Sequence, residues 1–227
     1  MRTLQRPVLV LVAAAALVAS AAAQTANTHP VSGRRFAPVM GYQGADWLER
    51  AERIDEEAPD VAIDLLNLRK GAAVADIGAG SGYMTVRLAR RVGPEGRVYA
   101  NDLQPQMLDL LKRRLSHDHI SNVVLVQGAV DDPKLPAASV DLELMVDVYH
   151  ELSQPQAMLR RLRDALKPGG RLVLLEYRKE DPAIPIRPEH KMSVAEAKME
   201  LEAEGFDLTA VNESLPRQHL LIFTVKP

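Results

Sequence analysis

The chain contains no cysteine, which excludes disulfides, thiolate nucleophiles, cysteine-ligated zinc and lipid attachment through cysteine. Aromatic residues make up only 4% of the sequence, and neither sign of charge dominates, with 28 lysines and arginines against 30 aspartates and glutamates. Binding to the phosphate backbone of nucleic acid needs a concentrated positive field, so this balance argues against nucleic acid as a partner. The 227 residues, 47% of them hydrophobic, suffice for one globular domain.

The first 23 residues have the features of a secretory signal peptide. Arg2 and Arg6 precede an uncharged, alanine-rich run at residues 8–23 that ends in small residues. That run is shorter than the roughly 20 strongly apolar residues of a membrane-spanning helix. We expect cleavage after Ala23 and export to the periplasm or the medium, with an uncleaved membrane anchor as the alternative. Residues 24–45 are then a linker or N-terminal segment, and residues 46–227 a single domain.

From residue 72 onward, short β-branched runs alternate with segments of helical period, a pattern typical of a parallel sheet covered by helices. Strands are predicted at 72–77, 97–102, 123–127, 140–146 and 171–177, and helices at 83–92, 105–115 and 155–166. Another helix is expected from Ser193, whose spacing to Glu196 fits a capping box, to about Glu204. Strands at 206–212 and 219–225 must be antiparallel to each other because their connection is too short for a parallel crossover. The prediction is an α/β fold with a seven-stranded, mostly parallel sheet, one antiparallel strand, and helices on both faces.

Two features upstream of the first strand have two interpretations each. Residues 46–57 form a charged segment of helical character, which is either a solvated surface helix or a lid over the carboxyl edge of the sheet. A second helix is predicted at 59–66. Met40, Tyr42 and Trp47 form either a roof over a bound ligand or a hydrophobic staple onto the sheet.

A glycine-rich loop follows the first strand. Asp76 ends the strand, and the loop carries glycines that let a backbone turn sharply and approach a ligand, at Gly78, Gly80 and Gly82. A dinucleotide fingerprint needs a further glycine where this chain has Tyr83. The Asp76 carboxylate would repel a pyrophosphate but suits a ligand with an ammonium group. The loop therefore predicts a nucleoside with a cationic tail.

The motif from Asp76 to Gly82, the Val-Tyr-Ala-Asn-Asp-Leu run that contains Asp102, and Lys-Pro-Gly-Gly at 167–170 together resemble the class I S-adenosylmethionine-dependent methyltransferases. The resemblance covers roughly residues 54–225 and implies a Rossmann-like sheet with S-adenosylmethionine as the cofactor. It assigns the methionine portion to Asp76 and the glycine loop, and the ribose hydroxyls to Asp102. A carboxylate is a natural bidentate acceptor for such a diol.

The resemblance also assigns further cofactor residues. Leu103 follows the ribose-binding carboxylate, and Asp147 lies at the end of the fourth strand, beside the cofactor's sulfonium. An acid after the third strand commonly meets the adenine amino group, and we assign Asp131 to this position with Asp132 as the alternative. This chain departs from the usual pattern there by having Ala129, and ordinary turn chemistry also explains the two aspartates.

Candidate catalytic residues follow the fourth strand. His150 and Glu151 are the predicted general base and its orienting partner, and Tyr149 either stacks on the acceptor or packs in the core. Their alternative roles are a hydrogen bond to the backbone and the start of a helix. No metal is expected, because the remaining histidines are scattered in the sequence and none follows His150 at helical spacing.

The leading hypothesis is methyl transfer to a small-molecule or lipid-like acceptor. The main alternative is an exported, non-catalytic module that binds the nucleoside, since S-adenosylmethionine is made in the cytosol. An oxidoreductase is disfavoured by Asp76 and Tyr83.

Overall fold

The structure of the protein is a computed structural model that describes residues 27–227. The predicted signal peptide, its cleavage site and the first residues of the predicted linker lie outside the described residues. Between residues 27 and 227, no helix has both the length and the apolar character needed to cross a bilayer.

The described chain forms a seven-stranded sheet in the order β3-β2-β1-β4-β5-β7-β6. All neighbouring pairs from β3 to β5 are parallel, and β7 runs antiparallel to both β5 and β6. This confirms the predicted fold class. The strands are β1 (Ala73–Ile77), β2 (Arg97–Asp102), β3 (Val123–Gln127), β4 (Val140–Val146), β5 (Leu166–Tyr177), β6 (Phe206–Asn212) and β7 (Gln218–Val225).

Seven α-helices flank the sheet in the described part of the chain. They are α1 (Ala45–Leu48), α2 (Arg53–Glu57), α3 (Pro59–Leu65), α4 (Tyr83–Val92), α5 (Pro105–His117), α6 (Pro155–Ala165) and α7 (Val194–Glu202). Prolines begin α3, α5 and α6, where the missing N–H has no intrahelical partner to lose. The predicted capping box of Ser193 and Glu196 is present at the start of α7.

Alternating residues of the central strands bury opposite faces of the sheet. On one face, Val74 and Leu144 pack with Leu88 of α4, and on the other, Ala75 and Met145 pack with Leu159 of α6. Both faces of the central strands are therefore covered by helices and inaccessible to solvent. A ligand can approach at the carboxyl ends of the strands.

Most predicted boundaries lie within two residues of those in the structure, but two segments differ more. Strand β5 already begins at Leu166, and the predicted turn at 167–170 is an irregularity within it, because Val140 pairs with Leu166 but Leu142 pairs with Arg171. Gly169 takes a φ of 77° there, which glycine adopts without strain. The predicted charged helix at 46–57 is broken into α1 and α2, so that the segment bends over the sheet edge.

Candidate active site

A cavity of about 550 Å³ lies at the carboxyl ends of β1, β2 and β4. The last residues of these strands, Ile77, Asp102 and Val146, all contribute to its lining. Open α/β sheets bind ligands at this edge, where the strand order reverses. The volume lies within the range of about 300–1,000 Å³ that is usual for small-molecule sites.

The glycine loop forms one end of the cavity, which we call the cofactor end. Gly78 and Gly80 line it with φ angles of 71° and 54°, a region that favours glycine. Gly82 has a different role, because a Cβ there would lie 2.2 Å from Cδ1 of Leu111. The third glycine thus allows α5 to pack against the loop and is not in the cavity lining.

Asp102 and Leu103 complete the cofactor end. The Asp102 carboxylate accepts hydrogen bonds from the backbone N–H of Gly80 at 2.8 Å and of Gln104 at 2.8 Å. Burial raises the pKa of Asp102, and these backbone donors partly offset the effect. The carboxylate is therefore fixed in orientation on the cavity wall. Leu103 lies beside it, 41% exposed, as an apolar surface.

Besides Gly82, two more predicted cofactor residues, Asp76 and Asp131, do not reach the cavity lining. Asp76 is buried and accepts a hydrogen bond from Oγ1 of Thr85 at 2.5 Å, so it ties the strand end to α4. Burial, aided by the charge of Asp102, raises the pKa of Asp76 to about 6. Asp131 is exposed, and Ala129 and Val130 line the cavity in its place.

Asp147 lies in the cavity wall at the end of β4. Its φ of 54° is unusual for a residue other than glycine and indicates backbone strain. Oδ2 accepts a hydrogen bond from Nε2 of Gln218 at 2.7 Å, whereas the buried Oδ1 has no hydrogen-bond partner within the described residues. Burial and the nearby Glu57 and Glu176 charges raise the pKa of Asp147 well above its usual range. A cation in the cavity would relieve this cost.

His150 also lines the cavity, in a 3₁₀ helix at Tyr149–Glu151 that follows β4, and we call the lining around His150, Glu151 and His190 the acceptor end. Its Nδ1 lies 2.6 Å from Oε2 of Glu176, a fully buried residue of β5. Burial by itself lowers the pKa of His150, but the Glu176 carboxylate outweighs burial and the pKa is raised. Nδ1 therefore has Glu176, and not the predicted Glu151, as its hydrogen-bond partner, while the nearby Glu151 acts on His150 through its charge.

The sequence itself indicates that Glu176 has a specific partner. It is the single charge in the apolar run of β5 from Leu172 to Tyr177, and a buried charge in a core strand needs a partner. Besides its contact with His150, Glu176 accepts a hydrogen bond from the backbone N–H of Tyr149 at 2.9 Å.

Glu151 and His190 also line the acceptor end. His190 belongs to a 3₁₀ helix at Pro188–His190, and its Nδ1 lies 3.2 Å from Nε2 of His150 and 3.9 Å from Oε1 of Glu151. Burial raises the pKa of Glu151 to about 7, whereas burial and the neighbouring His150 lower the pKa of His190. His190, which is 40 residues from His150 in the sequence, is thus its neighbour in the fold.

Tyr149 is fully buried in the core and does not line the cavity. Its ring packs 5.8 Å from the guanidinium carbon of Arg34. Of its two predicted roles, packing is the one that the structure supports.

The N-terminal segment covers the cavity, which favours the interpretation of residues 46–57 as a lid. Trp47 contributes to the lining, and the guanidinium carbon of Arg50 lies 3.9 Å from the centroid of its ring. The hydroxyl of Tyr177, at the end of β5, donates to Oε1 of Glu57 at 2.8 Å and accepts from Nη2 of Arg50 at 3.2 Å. These hydrogen bonds connect the lid, residues 46–57, to the end of β5.

Met40 and Trp47 line the cavity as the roof interpretation expects, but Tyr42 does not. The backbone N–H of Tyr42 donates to Oε1 of Gln104 at 2.9 Å, while the Gln104 amide donates to the carbonyl of Met40 at 2.9 Å. Gln104 therefore joins the N-terminal segment to the cofactor end.

Residues 74–170 match the model of a methyltransferase domain. The chain is 34% identical over 125 residues to the ubiquinone/menaquinone biosynthesis C-methyltransferase UbiE of Hahella chejuensis, covering 55% of this chain and 49% of that protein. It is 33% identical over 124 residues to the protein of the same name from Pseudomonas fluorescens, covering 54% and 48%. The chain thus spans about half the length of the curated relatives that it matches.

Among solved structures, the chain is similar to an S-adenosylmethionine-dependent methyltransferase from Aquifex aeolicus, with a TM-score of 0.78 and 26% identity over 82% of this chain and 100% of that chain. A TehB-like S-adenosylmethionine-dependent methyltransferase from Corynebacterium glutamicum has a TM-score of 0.60 at 18% identity over 81% and 98% of the two chains. The second likeness shows the fold alone.

Proposed function

We propose that this chain, which carries a methyltransferase domain on the fold of class I S-adenosylmethionine-dependent methyltransferases, transfers a methyl group from S-adenosylmethionine to a small, largely apolar acceptor. The matched domain and the fold imply S-adenosylmethionine as the cofactor. One observation carries the proposal: the glycine loop, Asp102 and His150 all line one cavity, and the ring of His150 is paired with the buried Glu176. Cofactor and acceptor can therefore meet inside one partly enclosed space.

The residues of the cofactor end fit the cofactor chemically. The Asp102 carboxylate suits the ribose hydroxyls, Leu103 offers an apolar surface to the adenine, and the backbone of Gly78 and Gly80 admits close approach. The unpaired Oδ1 of Asp147 would accept from the ammonium group of the methionine portion.

Methyl transfer is an in-line displacement. The acceptor atom forms a bond to the methyl carbon while the bond from that carbon to sulfur breaks, and the electron pair of that bond stays on sulfur as a neutral thioether. The main demand on the protein is alignment, because effective positioning alone removes much of the barrier. An acceptor that must lose a proton can pass it to Nε2 of His150, with Glu176 stabilising the resulting imidazolium.

The acceptor end favours an apolar molecule with one ionisable group. Val148, Leu152 and Ile186 line it, and the polar groups beside them include His150, Glu151 and His190. The curated relatives are named as C-methyltransferases of ubiquinone and menaquinone biosynthesis, which supports a phenolic ring as the acceptor class. Loss of the ring hydroxyl proton makes a ring carbon nucleophilic, so the same histidine would serve either carbon or oxygen as the methylated atom.

We propose the exported location on the sequence features of residues 1–23 alone. Cell fractionation with a C-terminal epitope tag would test it, together with the N-terminal sequence of the recovered protein. An N-terminus at Gln24 in the periplasmic fraction is expected, and recovery of the intact chain from the cytosol would contradict export.

The test of the proposed activity combines binding and turnover. Titration calorimetry with S-adenosylhomocysteine is expected to show one site per chain, and transfer of labelled methyl to a panel of phenols and quinols should identify an acceptor. His150→Ala should lower kcat by about 10²–10⁴-fold, the usual contribution of general acid–base catalysis, and leave the affinity for S-adenosylhomocysteine unchanged. His117→Ala, an exposed histidine outside the cavity, is the matched control.

The outcomes separate the hypotheses. Binding without turnover across the panel would favour the non-catalytic module. Undiminished turnover of His150→Ala on a true acceptor would remove His150 from the mechanism, whatever the cofactor affinity.

A further inference from the structure

We propose that His150, His190 and Glu151 form a binding site for one divalent transition-metal ion, of the zinc class, at the acceptor end of the cavity. The inference goes beyond the proposed methyl transfer and shares with it the cavity and the side chain of His150. Nothing in the sequence spacing predicts the site, because His190 is 40 residues from His150 along the chain.

The three side chains are spaced as ligands of one ion. His150 Nε2 and His190 Nδ1 are 3.2 Å apart, and His190 Nδ1 and Glu151 Oε1 are 3.9 Å apart. One donor atom from each of the three residues lies within 4.8 Å of the others. Ligand atoms that are each about 2.0–2.2 Å from a shared ion lie about 3–4 Å from one another, so small side-chain adjustments would complete the site.

His150 is held in the orientation that a ligand needs. Its Nδ1 faces the buried Glu176 carboxylate at 2.6 Å, which assigns the N–H to Nδ1 and directs the lone pair of Nε2 at His190 and Glu151. The carbonyl of His150 accepts from Nη1 of Arg34 at 3.0 Å and from the backbone N–H of Ala37 at 3.1 Å. A carboxylate behind a histidine ligand is the usual outer-shell arrangement of metal sites.

The donor set indicates the class of metal and the role of the open position. Two imidazoles and one carboxylate suit zinc, iron, cobalt or nickel, whereas magnesium and calcium prefer sites made of oxygen. Three protein ligands leave a position for an exogenous ligand, and here that position faces the cavity. An acceptor with an oxygen donor would fill it. Because Nε2 of His150 cannot hold a proton and an ion together, the ion would replace the base at the same place.

Within residues 27–227 no second group of three such side chains comes together. His219 contacts Glu213 through Nδ1 at 2.7 Å and Glu180 through Nε2 at 3.1 Å, so the two carboxylates, each about half exposed, meet different nitrogens of the ring. His117 is 88% exposed at the end of α5. The cavity cluster is therefore the place where binding should be detected.

The test uses the purified full chain after removal of metal with a chelator. Titration with Zn²⁺ should show one ion per chain, and Co²⁺ should give the visible absorption of a low-symmetry site with nitrogen ligands. His190→Ala and Glu151→Gln each remove a ligand from a partly exposed position, and we expect each to weaken Zn²⁺ binding by more than about 100-fold, the upper bound for loss of an outer-shell partner. Glu176→Gln should weaken it by about 10–100-fold with the stoichiometry retained.

His117→Ala should bind Zn²⁺ as the unaltered chain does, and Mg²⁺ should not compete. Absence of Zn²⁺ binding, or binding that His190→Ala and Glu151→Gln leave unchanged, would overturn the proposal. Titration of the same metal-free chain with S-adenosylhomocysteine tests the cofactor pocket separately, so failure of the metal site and failure of the proposed methyl transfer give different results.

Discussion

The two ends of the cavity are built from different kinds of group. The cofactor end consists mainly of backbone from the glycine loop and the carboxylate of Asp102, within residues 77–104, to which Asp147 adds a second carboxylate. The acceptor end combines apolar side chains with ionisable side chains from three separated stretches of chain, represented by His150, Glu176 and His190. One end recognises its ligand by shape and a few fixed hydrogen bonds, and the other is suited to moving a proton or holding an ion.

This difference implies that cofactor affinity and reactivity can be altered separately. The carboxylate of the cofactor end is held by two backbone donors, whereas at the acceptor end burial and neighbouring charges shift the pKa of several groups in opposite directions. Groups with shifted pKa values in a cleft are candidates for chemistry. Variants at the cofactor end should therefore change cofactor affinity and leave reactivity unaltered, and variants at the acceptor end should do the reverse.

The largest expected effect is at the cofactor end, in Gly80→Val. A β-branched residue at a φ of 54° is strained, and its Cβ would lie 2.8 Å from Cδ1 of Leu48 while the side chain fills part of the cavity. We expect affinity for S-adenosylhomocysteine to fall by at least about 100-fold, measured by titration calorimetry.

Gly169→Val is the matched control, because its φ of 77° imposes a similar backbone strain and a Cβ there meets nothing within 4 Å. Wild-type affinity in folded Gly80→Val protein would mean that the loop does not hold the cofactor.

Of the eight residues that the family resemblance assigns to the cofactor, five line the cavity, because the spacing of a strand, its loop and the next helix is fixed locally. Asp102 and Leu103 could be placed since a parallel neighbouring strand must end at the same edge. The absence of Asp76 and Asp131 from the lining could not be predicted, because it depends on the direction in which each side chain points.

The acceptor end was predicted only in part. His150 was found because it follows a strand, but its partner Glu176 comes from the next strand of the sheet and is 26 residues away. His190 is placed by the path of the long connection between β5 and α7, which has no repeating pattern. Contacts of this kind depend on tertiary packing, and sequence spacing carries no information about them.

A smaller effect is expected from loosening the lid with Tyr177→Phe. The hydroxyl joins Glu57 and Arg50 of the lid to the end of β5, and hydrogen bonds to charged groups contribute about 1.5–3 kcal/mol. Because Arg50 and Glu57 keep their own ion pair at 2.9 Å, we expect only the lower end of this range, about a 10-fold loss of affinity for S-adenosylhomocysteine.

Tyr42→Phe is the control for the lid, since Tyr42 belongs to the same N-terminal segment but its side chain does not line the cavity. If both variants bind S-adenosylhomocysteine equally well, the lid takes no part in holding the cofactor.

The smallest expected effect is on folding stability, and it differs between two buried glutamates of neighbouring strands, Glu143 and Glu176. Glu176 has partners for both oxygens, whereas neither oxygen of Glu143, which is fully buried in β4, has a hydrogen-bond partner within the described chain. Burial raises the pKa of Glu143 well above its usual value of 4.5. The folded chain therefore retains a proton that the unfolded chain loses, and the cost to stability grows as the pH rises above 4.5 toward neutrality.

Glu143→Gln removes this cost because the amide is neutral at every pH. We expect the free energy of unfolding, measured by urea denaturation, to rise by about 1 kcal/mol at neutral pH and the gain to vanish as the pH falls to about 4.5. Glu176→Gln should have the opposite sign at neutral pH, because it removes the charged partner of His150. A gain in Glu143→Gln that does not depend on pH would show that the carboxyl of Glu143 does not titrate between these limits, and that packing, not charge, limits stability in this part of the sheet.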